Sequence, residues 1–349
     1  MDKEVVVEGA AARAATIGEI ADAARSACAS EVWDFIEGGA ESETTARRNR
    51  ERLERLALRP RVLVDVSSID TAALVAGLAM RIPVLLAPLG SLQSVTPDGA
   101  LAAARAAERF GTPVMVSSTT EPDLPTVAAG SGGAKIAQLY IRGDERWAEQ
   151  QVDAIVAAGY GALALTVDLA YYGRRERQLR SGWRPASFTG DGEPGRNWQA
   201  KLDWEWAGRL RDRAGLPFVI KGIQSAADAE RAVEFGAEVI YVSNHGGRQL
   251  DHGEASIDVL RDVADAVAGR AQIVMDGGVR RGTDVLKAIA LGADAVGIGR
   301  LQAYALAAGG EQALVRLLEI LEDEIRVTMG LLGVTRLDQL DRSFVATVA

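Results

Sequence analysis

Short apolar runs alternate with helical patterns along the chain from residue 83 onward. The runs are continuously apolar, which is typical of parallel strands that are buried on both faces. We predict eight strands, at Pro83–Pro88, Pro113–Ser118, Lys135–Tyr140, Ala162–Asp168, Pro217–Gly222, Val239–Asn244, Gln272–Gly278 and Ala295–Arg300. Helical patterns lie between them, for example at Asp98–Phe110, Glu145–Ala158, Ala226–Phe235 and Thr283–Leu291. Eight such units predict an α/β protein that closes into a (β/α)8 TIM barrel, with a doubly wound open sheet as the alternative.

Two segments fall outside this repeat. Residues 1–82 contain a helical pattern at Ile17–Glu37, and we expect them to form a helical cap on one end of the barrel. Residues 169–202 follow the fourth strand and are polar and rich in glycine, without an obvious structural pattern. A connection of this length predicts a lid or a mobile loop. Because α/β barrels of this size are commonly one unit, we expect a single domain over residues 1–349.

Composition narrows the class of protein further. With 48% hydrophobic and 25% charged residues, the chain can bury a large core and is not of the disordered type. The formal net charge of -9 argues against nucleic acid and anionic membrane partners. The single cysteine, Cys28, excludes an internal disulfide and a cysteine-based metal cluster. No secretory signal or membrane-span pattern is evident, so we expect a cytoplasmic protein.

The segment Ser243-Asn244-His245-Gly246-Gly247-Arg248-Gln249-Leu250-Asp251 holds one of only two histidines. A strand-like run precedes it, which places His245 and Arg248 at the carboxyl end of a strand. A neutral-pH base and a fixed cation three residues apart suit the binding of an anion and the removal of a proton from it. The alternative is a tight glycine turn with an incidental histidine. The other histidine, His252, is interpreted as a loop residue, and we predict no metal site.

Each predicted strand ends in polar or small residues, where barrels of this type place their active sites. These are Gly90, Ser117, Gln138, Tyr140, Thr166, Asp168, Lys221, Ser243, His245, Asp276, Arg280, Gly299 and Arg300. The glycines and arginines of the last two units predict a phosphate site, with two tight turns and surface arginines as the alternative. Lys221 suits the negative charge of a reduced flavin ring, and Ser117, Gln138 and Thr166 suit hydrogen bonds to its polar edge. No Walker or Rossmann glycine motif is present in the right context.

Five segments, in this order and spacing, resemble the FMN-dependent L-2-hydroxy acid oxidases and dehydrogenases, the group of glycolate oxidase, lactate oxidase and mandelate dehydrogenase. They are Gln138-Leu139-Tyr140, Leu165-Thr166-Val167-Asp168, Gly173-Arg174-Arg175, residues 243–251, and Asp276-Gly277-Gly278-Val279-Arg280-Arg281-Gly282-Thr283-Asp284. The resemblance runs from about residue 16 to the carboxyl terminus. It implies FMN as the cofactor, oxidation of a small L-2-hydroxy acid to the 2-oxo acid, and assembly into a homo-oligomer, a tetramer or octamer.

The resemblance also implies roles for individual residues. His245 would be the catalytic base, oriented by Asp168, with Tyr140 near the substrate hydroxyl. Arg175 and Arg248 would bind the substrate carboxylate. The contacts to FMN would be made by Leu89, Gly90, Ser117, Gln138, Thr166, Lys221, Ser243, Asp276, Gly278, Arg280, Gly299 and Arg300.

Three positions depart from the glycolate oxidase pattern. Phe35 stands where that group has a tyrosine whose hydroxyl helps to hold the carboxylate, Thr119 replaces a tryptophan, and Gly90 is smaller than the usual alanine. We hypothesise that the pocket takes a bulkier substrate, aryl or long-chain. The alternative is that neighbouring side chains or the 169–202 loop refill the space.

The sequence leaves the electron acceptor open between oxygen and another compound. It also leaves two other functions open. One is a flavin-dependent isomerase that catalyses a non-redox step on a diphosphate, and the other is a non-catalytic FMN-binding barrel.

Overall fold

The amino-terminal part of the chain folds into helices and short strands ahead of the barrel. The computed structural model describes residues 11–185 and 196–348. The first elements are α1 (Ile17–Ala27), α2 (Ser30–Glu37), α3 (Thr44–Glu54), β1 (Leu56–Leu58), β2 (Ala73–Val75) and β3 (Leu78–Met80). The helical pattern predicted at Ile17–Glu37 is therefore two helices. They are separated because the backbone at Cys28 and Ala29 is not helical.

Eight parallel strands follow and close into a barrel in chain order. They are β4 (Val84–Leu86), β5 (Val114–Ser117), β6 (Lys135–Leu139), β7 (Ala162–Thr166), β8 (Phe218–Ile223), β9 (Val239–Val242), β10 (Gln272–Met275) and β11 (Ala295–Ile298). The last strand pairs with the first, with Val296 opposite Val84. All eight predicted strands and the (β/α)8 TIM barrel are confirmed, and the open-sheet alternative is wrong.

Helices lie between the barrel strands along the chain and after the last of them. In chain order they are α4 (Gly99–Phe110), α5 (Leu124–Gly130), α6 (Glu145–Ala157), α7 (Glu176–Ser181), α8 (Arg196–Gln199), α9 (Trp204–Ala214), α10 (Ala226–Glu234), α11 (Ser256–Val267), α12 (Gly282–Ala290) and α13 (Arg300–Leu332). Side chains cap several helix starts, and Asp144, Asp203 and Ser225 each accept a hydrogen bond from a backbone N–H of the first turn. The last strand, β12 (Val345–Thr347), pairs antiparallel with β1.

The two ends of the barrel are covered differently. The hairpin of β2 and β3 covers the amino-terminal end, where the Gln272 side chain, at the start of β10, bonds to the backbone of Leu74 and Ala76. Helices α2 and α3 instead lie at the carboxyl end. The expected helical cap over 1–82 is therefore only partly correct, because a short apolar run such as that of the hairpin has no periodicity that separates strand from helix.

The segment after β7 contains regular structure where the sequence predicted only a long loop. Of residues 169–202, those at 186–195 lie outside the described residues, and the remainder includes α7 and α8. Trp183 packs against Phe35 of α2, with ring centroids 5.4 Å apart. Within 11–185 and 196–348, no helix is both long and apolar enough to cross a membrane. The single-domain organisation and the homo-oligomer stay predictions.

Candidate active site

A cavity of about 620 Å³ lies at the carboxyl ends of the barrel strands, a size typical of cofactor and substrate sites. Most of the predicted site residues line it, namely Leu89, Gly90, Tyr140, Arg175, Lys221, His245, Arg248, Asp276, Gly278, Arg280, Gly299 and Arg300. The other five lie behind this lining, namely Ser117, Gln138, Thr166, Asp168 and Ser243. The structure therefore brings the predicted residues together, in two layers.

His245 sits in a turn of three successive left-handed residues. Its φ is 58°, and those of Gly246 and Gly247 are 64° and 75°. This conformation is unfavourable for a residue with a Cβ, and such strain is found where the surroundings hold the residue in place. Here the backbone N–H of His245 donates to Ser243 Oγ at 3.0 Å, and Nδ1 lies 3.0 Å from Asp168 Oδ1. His245 is thus held both through its backbone and through its ring.

The charge state of the His245–Asp168 pair suits a base. Burial lowers the pKa of His245, although Asp168 opposes the effect. Burial alone would raise the pKa of Asp168, but the contact with His245 lowers it overall. The imidazole is therefore neutral near pH 7, and its Nδ1–H donates to the carboxylate. That assignment leaves a lone pair on Nε2, which lies 3.3 Å from the hydroxyl of Tyr140.

Two arginines stand beside the histidine. Arg175 Nε donates to the backbone oxygen of Arg248 at 3.4 Å, and its guanidinium lies over the Tyr172 ring, 4.1 Å from the centroid. This approach depends on Gly173, because a Cβ there would lie 2.3 Å from the same Arg248 oxygen. Burial lowers the pKa of both guanidinium groups, and each also faces other charged or phenolic groups of the cavity. Two cations side by side, Arg175 buried and Arg248 half-buried, favour the binding of an anion.

Arg248 and Arg300 are both anchored at the end of α2. Arg248 Nη1 donates to the backbone oxygens of Phe35 and Gly38, at 2.7 and 2.8 Å. The Arg300 guanidinium donates to backbone oxygens of residues 36–38 and, at 3.0 Å, to that of Gly246. Cations at the carboxyl end of a helix are favourable because the carbonyl groups there are negative and lack helical partners. Arg300 therefore joins α2 to the histidine turn, a role that its sequence position did not indicate.

Buried polar side chains in and behind the cavity lining form two hydrogen-bonded groups. In the first, Gln138 Nε2 donates to Thr166 Oγ1 at 2.8 Å. In the second, Lys221 Nζ donates to Ser243 Oγ at 3.0 Å, and that hydroxyl donates to Asp276 Oδ1 at 2.6 Å. These partners fix the orientation of each side chain before any ligand binds.

The opposite end of the cavity is suited to a phosphate. Gly299 precedes the amino terminus of α13, whose first backbone N–H groups lack helical partners. Arg280 borders the same region, and within the described ranges its guanidinium has no hydrogen bond or ion pair. Gly278 has a φ of 81° and packs against α3, where a Cβ would lie 2.5 Å from the Asn49 oxygen. The loop therefore needs glycine both for its conformation and for its close packing.

The described residues fit FMN. Gln138 Oε1 is buried and has no hydrogen-bond partner among residues 11–185 and 196–348, so this amide oxygen can accept a hydrogen bond from a donor such as a flavin ring nitrogen. Lys221 supplies a buried cation at the same end, and the start of α13 with Arg280 supplies the phosphate site. The volume and this division of charges match a ligand with an aromatic ring at one end and a phosphate at the other.

Two of the departures from the glycolate oxidase pattern compensate each other. A Cβ on Gly90 would lie 2.5 Å from Thr119 Oγ1. That hydroxyl is held by Ser117 Oγ, 3.0 Å away. The Thr119 side chain therefore occupies the room that a missing methyl group at Gly90 would leave, and Gly90 itself adds no free space.

Several residues of the site were not found from the sequence. Arg50 of α3 donates to Asp284 at 2.5 and 3.0 Å and to the Gly278 oxygen at 2.9 Å. Asn49 exchanges two hydrogen bonds with Asn244, at 2.8 and 2.9 Å. Two further examples are Tyr172, which lines the cavity, and Gln199, which bonds to the backbone of Ile141 and Thr166. Asn244 and Asp284 lie inside the conspicuous segments 243–251 and 276–284, whereas no sequence signal marks Asn49, Arg50 or Gln199.

Comparisons with known proteins agree with this geometry. A family model described as FMN-dependent dehydrogenase matches residues 24–347. Glycolate oxidase 5 of Oryza sativa subsp. japonica is 40% identical over 338 residues, which cover 91% of this chain and 92% of that protein. An L-lactate oxidase of Nostoc sp. is 40% identical over 339 residues, 89% and 92% of the two chains.

Solved structures give the same result. A crystal structure of mandelate oxidase with (S)-2-phenylpropionate has a TM-score of 0.89 and 37% sequence identity, and covers 96% of this chain and 100% of that one. The matches span nearly the whole chain, and the description of the family model names FMN. The chain belongs to the FMN-dependent dehydrogenase family and is an oxidoreductase that uses FMN.

Proposed function

We propose that this protein oxidises an L-2-hydroxy acid to the 2-oxo acid, with His245 as the base, and passes the electrons from FMN to oxygen. The observation that carries the proposal is the position of the His245 ring, 3.0 Å from the buried carboxylate of Asp168 and in the same cavity as Arg175 and Arg248. The relatives named glycolate oxidase and L-lactate oxidase support oxygen as the acceptor.

The protein's own side chains neutralise the substrate carboxylate and accept the proton that the substrate releases. Arg175 and Arg248 neutralise the substrate carboxylate, which would otherwise resist loss of the neighbouring α-hydrogen. His245 Nε2 takes the proton that the substrate releases, and Asp168 stabilises the resulting imidazolium. Tyr140, whose hydroxyl is 3.3 Å from Nε2, contacts the substrate hydroxyl in this proposal. FMN, when bound, accepts the two electrons that side chains cannot hold.

The anion-binding atoms remain available for this role. Arg248 uses only Nη1 for its bonds to α2, so within the described residues Nε and Nη2 have no hydrogen bond. Arg175 donates hydrogen bonds through Nε and Nη1, and its Nη2 has no hydrogen bond within the same described residues. A carboxylate accepts such paired donors in a fixed geometry, which orients the α-carbon.

For the substrate, we propose an L-2-hydroxy acid with an apolar side chain larger than that of glycolate. Phe35, Leu169 and Tyr172 line the cavity near the arginines and give it an apolar wall. The apolar side chain of the substrate would lie against this wall. It would not lie at Gly90, because the Thr119 side chain occupies the space there.

The test is anaerobic reduction of the purified protein. A yellow protein that bleaches with 2-hydroxy acids and recovers rapidly in air supports an oxidase, whereas slow recovery points to another acceptor. A yellow protein that no 2-hydroxy acid bleaches contradicts the proposal. Comparing glycolate, lactate, mandelate and a long-chain 2-hydroxy acid tests the substrate class, and a preference for glycolate contradicts it.

A further inference from the structure

Tyr241 fills the interior of the barrel next to the cofactor cavity. It lies on β9, its side chain is fully buried, and it packs among inward-facing apolar side chains such as Leu85 and Val219. Its hydroxyl reaches Gly297 of β11, where a Cβ would overlap the phenol oxygen. Gly297 itself lines the cavity. The phenol therefore lies directly behind the cavity lining.

The ring of Tyr241 contacts a cation of the cavity lining. Lys221 on β8 is the strand partner of Tyr241, so both side chains point into the barrel from neighbouring strands. Lys221 Nζ lies 4.9 Å from the centroid of the ring, within the range of a cation–π interaction. Because Tyr241 is fully buried and Lys221 is 3% exposed, little water competes for the ammonium, and its attraction to the negative ring face is strong.

Lys221 also has a carboxylate neighbour, but the two groups are not closely paired. Its Nζ lies 3.5 Å from Asp276 Oδ2, whereas a charge-assisted hydrogen bond is about 2.7 to 2.9 Å long. Ser243 Oγ bridges the two side chains, 3.0 Å from Nζ and 2.6 Å from Asp276 Oδ1. The ammonium is therefore shared among a hydroxyl, a carboxylate and an aromatic ring. Without the ring it would move towards the carboxylate, because opposite charges attract strongly where water is scarce.

We infer that Tyr241 is a positioning residue whose ring face keeps the Lys221 ammonium from pairing fully with Asp276 and so leaves its positive charge to the cofactor. A nearby cation stabilises a cofactor more once it has gained electrons. Tyr241 therefore raises the midpoint potential of bound FMN without touching it. The inference requires only that the protein uses FMN, as its family does, and not the identity of the hydroxy acid.

The experiment measures the midpoint potential of bound FMN, by slow chemical reduction of the FMN-loaded protein in equilibrium with a reference dye. It compares Tyr241→Phe with a variant that carries pentafluorophenylalanine at position 241. Both lack the hydroxyl and have nearly the same shape, but fluorine withdraws the negative charge from the ring face that attracts a cation. The fluorinated variant should reduce roughly tenfold less favourably than Tyr241→Phe, a potential lower by about 30 mV for a two-electron couple.

The control is the same pair of substitutions at Tyr160, a tyrosine that is 2% exposed and whose hydroxyl donates to the backbone oxygen of Leu124 at 2.9 Å. The two rings at position 160 should give equal potentials. Adding Asp276→Asn to both variants at position 241 should bring their potentials together, because the ammonium then has no carboxylate to move towards.

Three results would overturn the inference. They are equal potentials for the two rings at position 241, an equal difference at position 160, and a difference at position 241 that persists in full with Asp276→Asn. The reduction needs no hydroxy acid, so a failure of the proposed function leaves this measurement unaffected.

Discussion

The carboxylate behind His245 offers the sharpest test of the proposed mechanism. Asp168→Asn removes a charge and keeps the shape, so the amide oxygen can still accept from Nδ1 at the 3.0 Å separation. The Asp168 side chain is only 3% exposed, so solvent does little to screen its charge. The substitution thus tests the charge of Asp168 rather than its packing.

The expected loss follows from the distance. Unit charges about 4 Å apart attract by about 4 kcal/mol at an effective dielectric constant of about 20, the value that suits protein sites. The attraction acts only as the ring of His245 becomes an imidazolium, so it stabilises the transition state and not the neutral ground state. At about 1.4 kcal/mol for each tenfold in rate, the full charge corresponds to roughly a thousandfold. Because the ring is only partly charged in the transition state, we expect a hundred- to thousandfold slower reaction.

The assay is the anaerobic rate of flavin bleaching at saturating substrate, measured from pH 5 to 9. In the wild type the rate should fall as pH drops through the pKa of His245, since only the neutral ring accepts a proton. Because burial lowers this pKa, the acidic limb of the pH–rate profile should lie below the ordinary pKa of histidine. Asp168 raises the pKa of His245, so Asp168→Asn should move the limb to still lower pH while the plateau falls. A plateau within fivefold of the wild type, or a limb moved to higher pH, would refute the reasoning.

Three further predictions concern the turn, the cofactor and the carboxylate site. His245→Asn should abolish flavin bleaching, whereas His252→Asn, at an exposed histidine with nearly the same φ of 59°, should leave the bleaching rate unchanged. Arg50→Lys loses the paired bonds to Asp284 and should raise the dissociation constant of FMN about tenfold, seen as recovered FMN fluorescence on dilution, with kcat kept at saturating FMN. Gly173→Ala places a Cβ 2.3 Å from a backbone oxygen and should raise KM about tenfold; an unchanged KM would show that this close approach is not needed.

The barrel could be predicted because its strands are buried on both faces and each carries its own apolar run. Strand ends were less well predicted. β7 ends at Thr166 rather than Asp168, so Asp168 lies two residues past the strand, at the position from which its carboxylate reaches His245. The apolar residue Val167 follows Thr166 directly, so the hydrophobic pattern does not mark the end of the strand.

The site was predicted wherever one segment carries its own chemistry, as at 243–251. It was not predicted where two distant segments meet. Asn49 and Asn244 are 195 positions apart, and each alone is an ordinary polar residue of a helix or loop. Their paired amides hold α3 against the histidine turn, and only the folded chain brings them together.

The amino-terminal helices are better understood as part of the active site than as a cap on it. Arg248 and Arg300 both approach the cavity from the barrel, yet both are held by backbone oxygens at the end of α2. A guanidinium with three or more fixed hydrogen bonds loses little further freedom when an anion arrives, so its binding energy is not spent on ordering the side chain. Arg50 applies the same principle at the other end of the cavity, where it holds the Gly278 loop. The barrel supplies the chemical groups, and the helices before it hold these groups in the arrangement that the reaction requires.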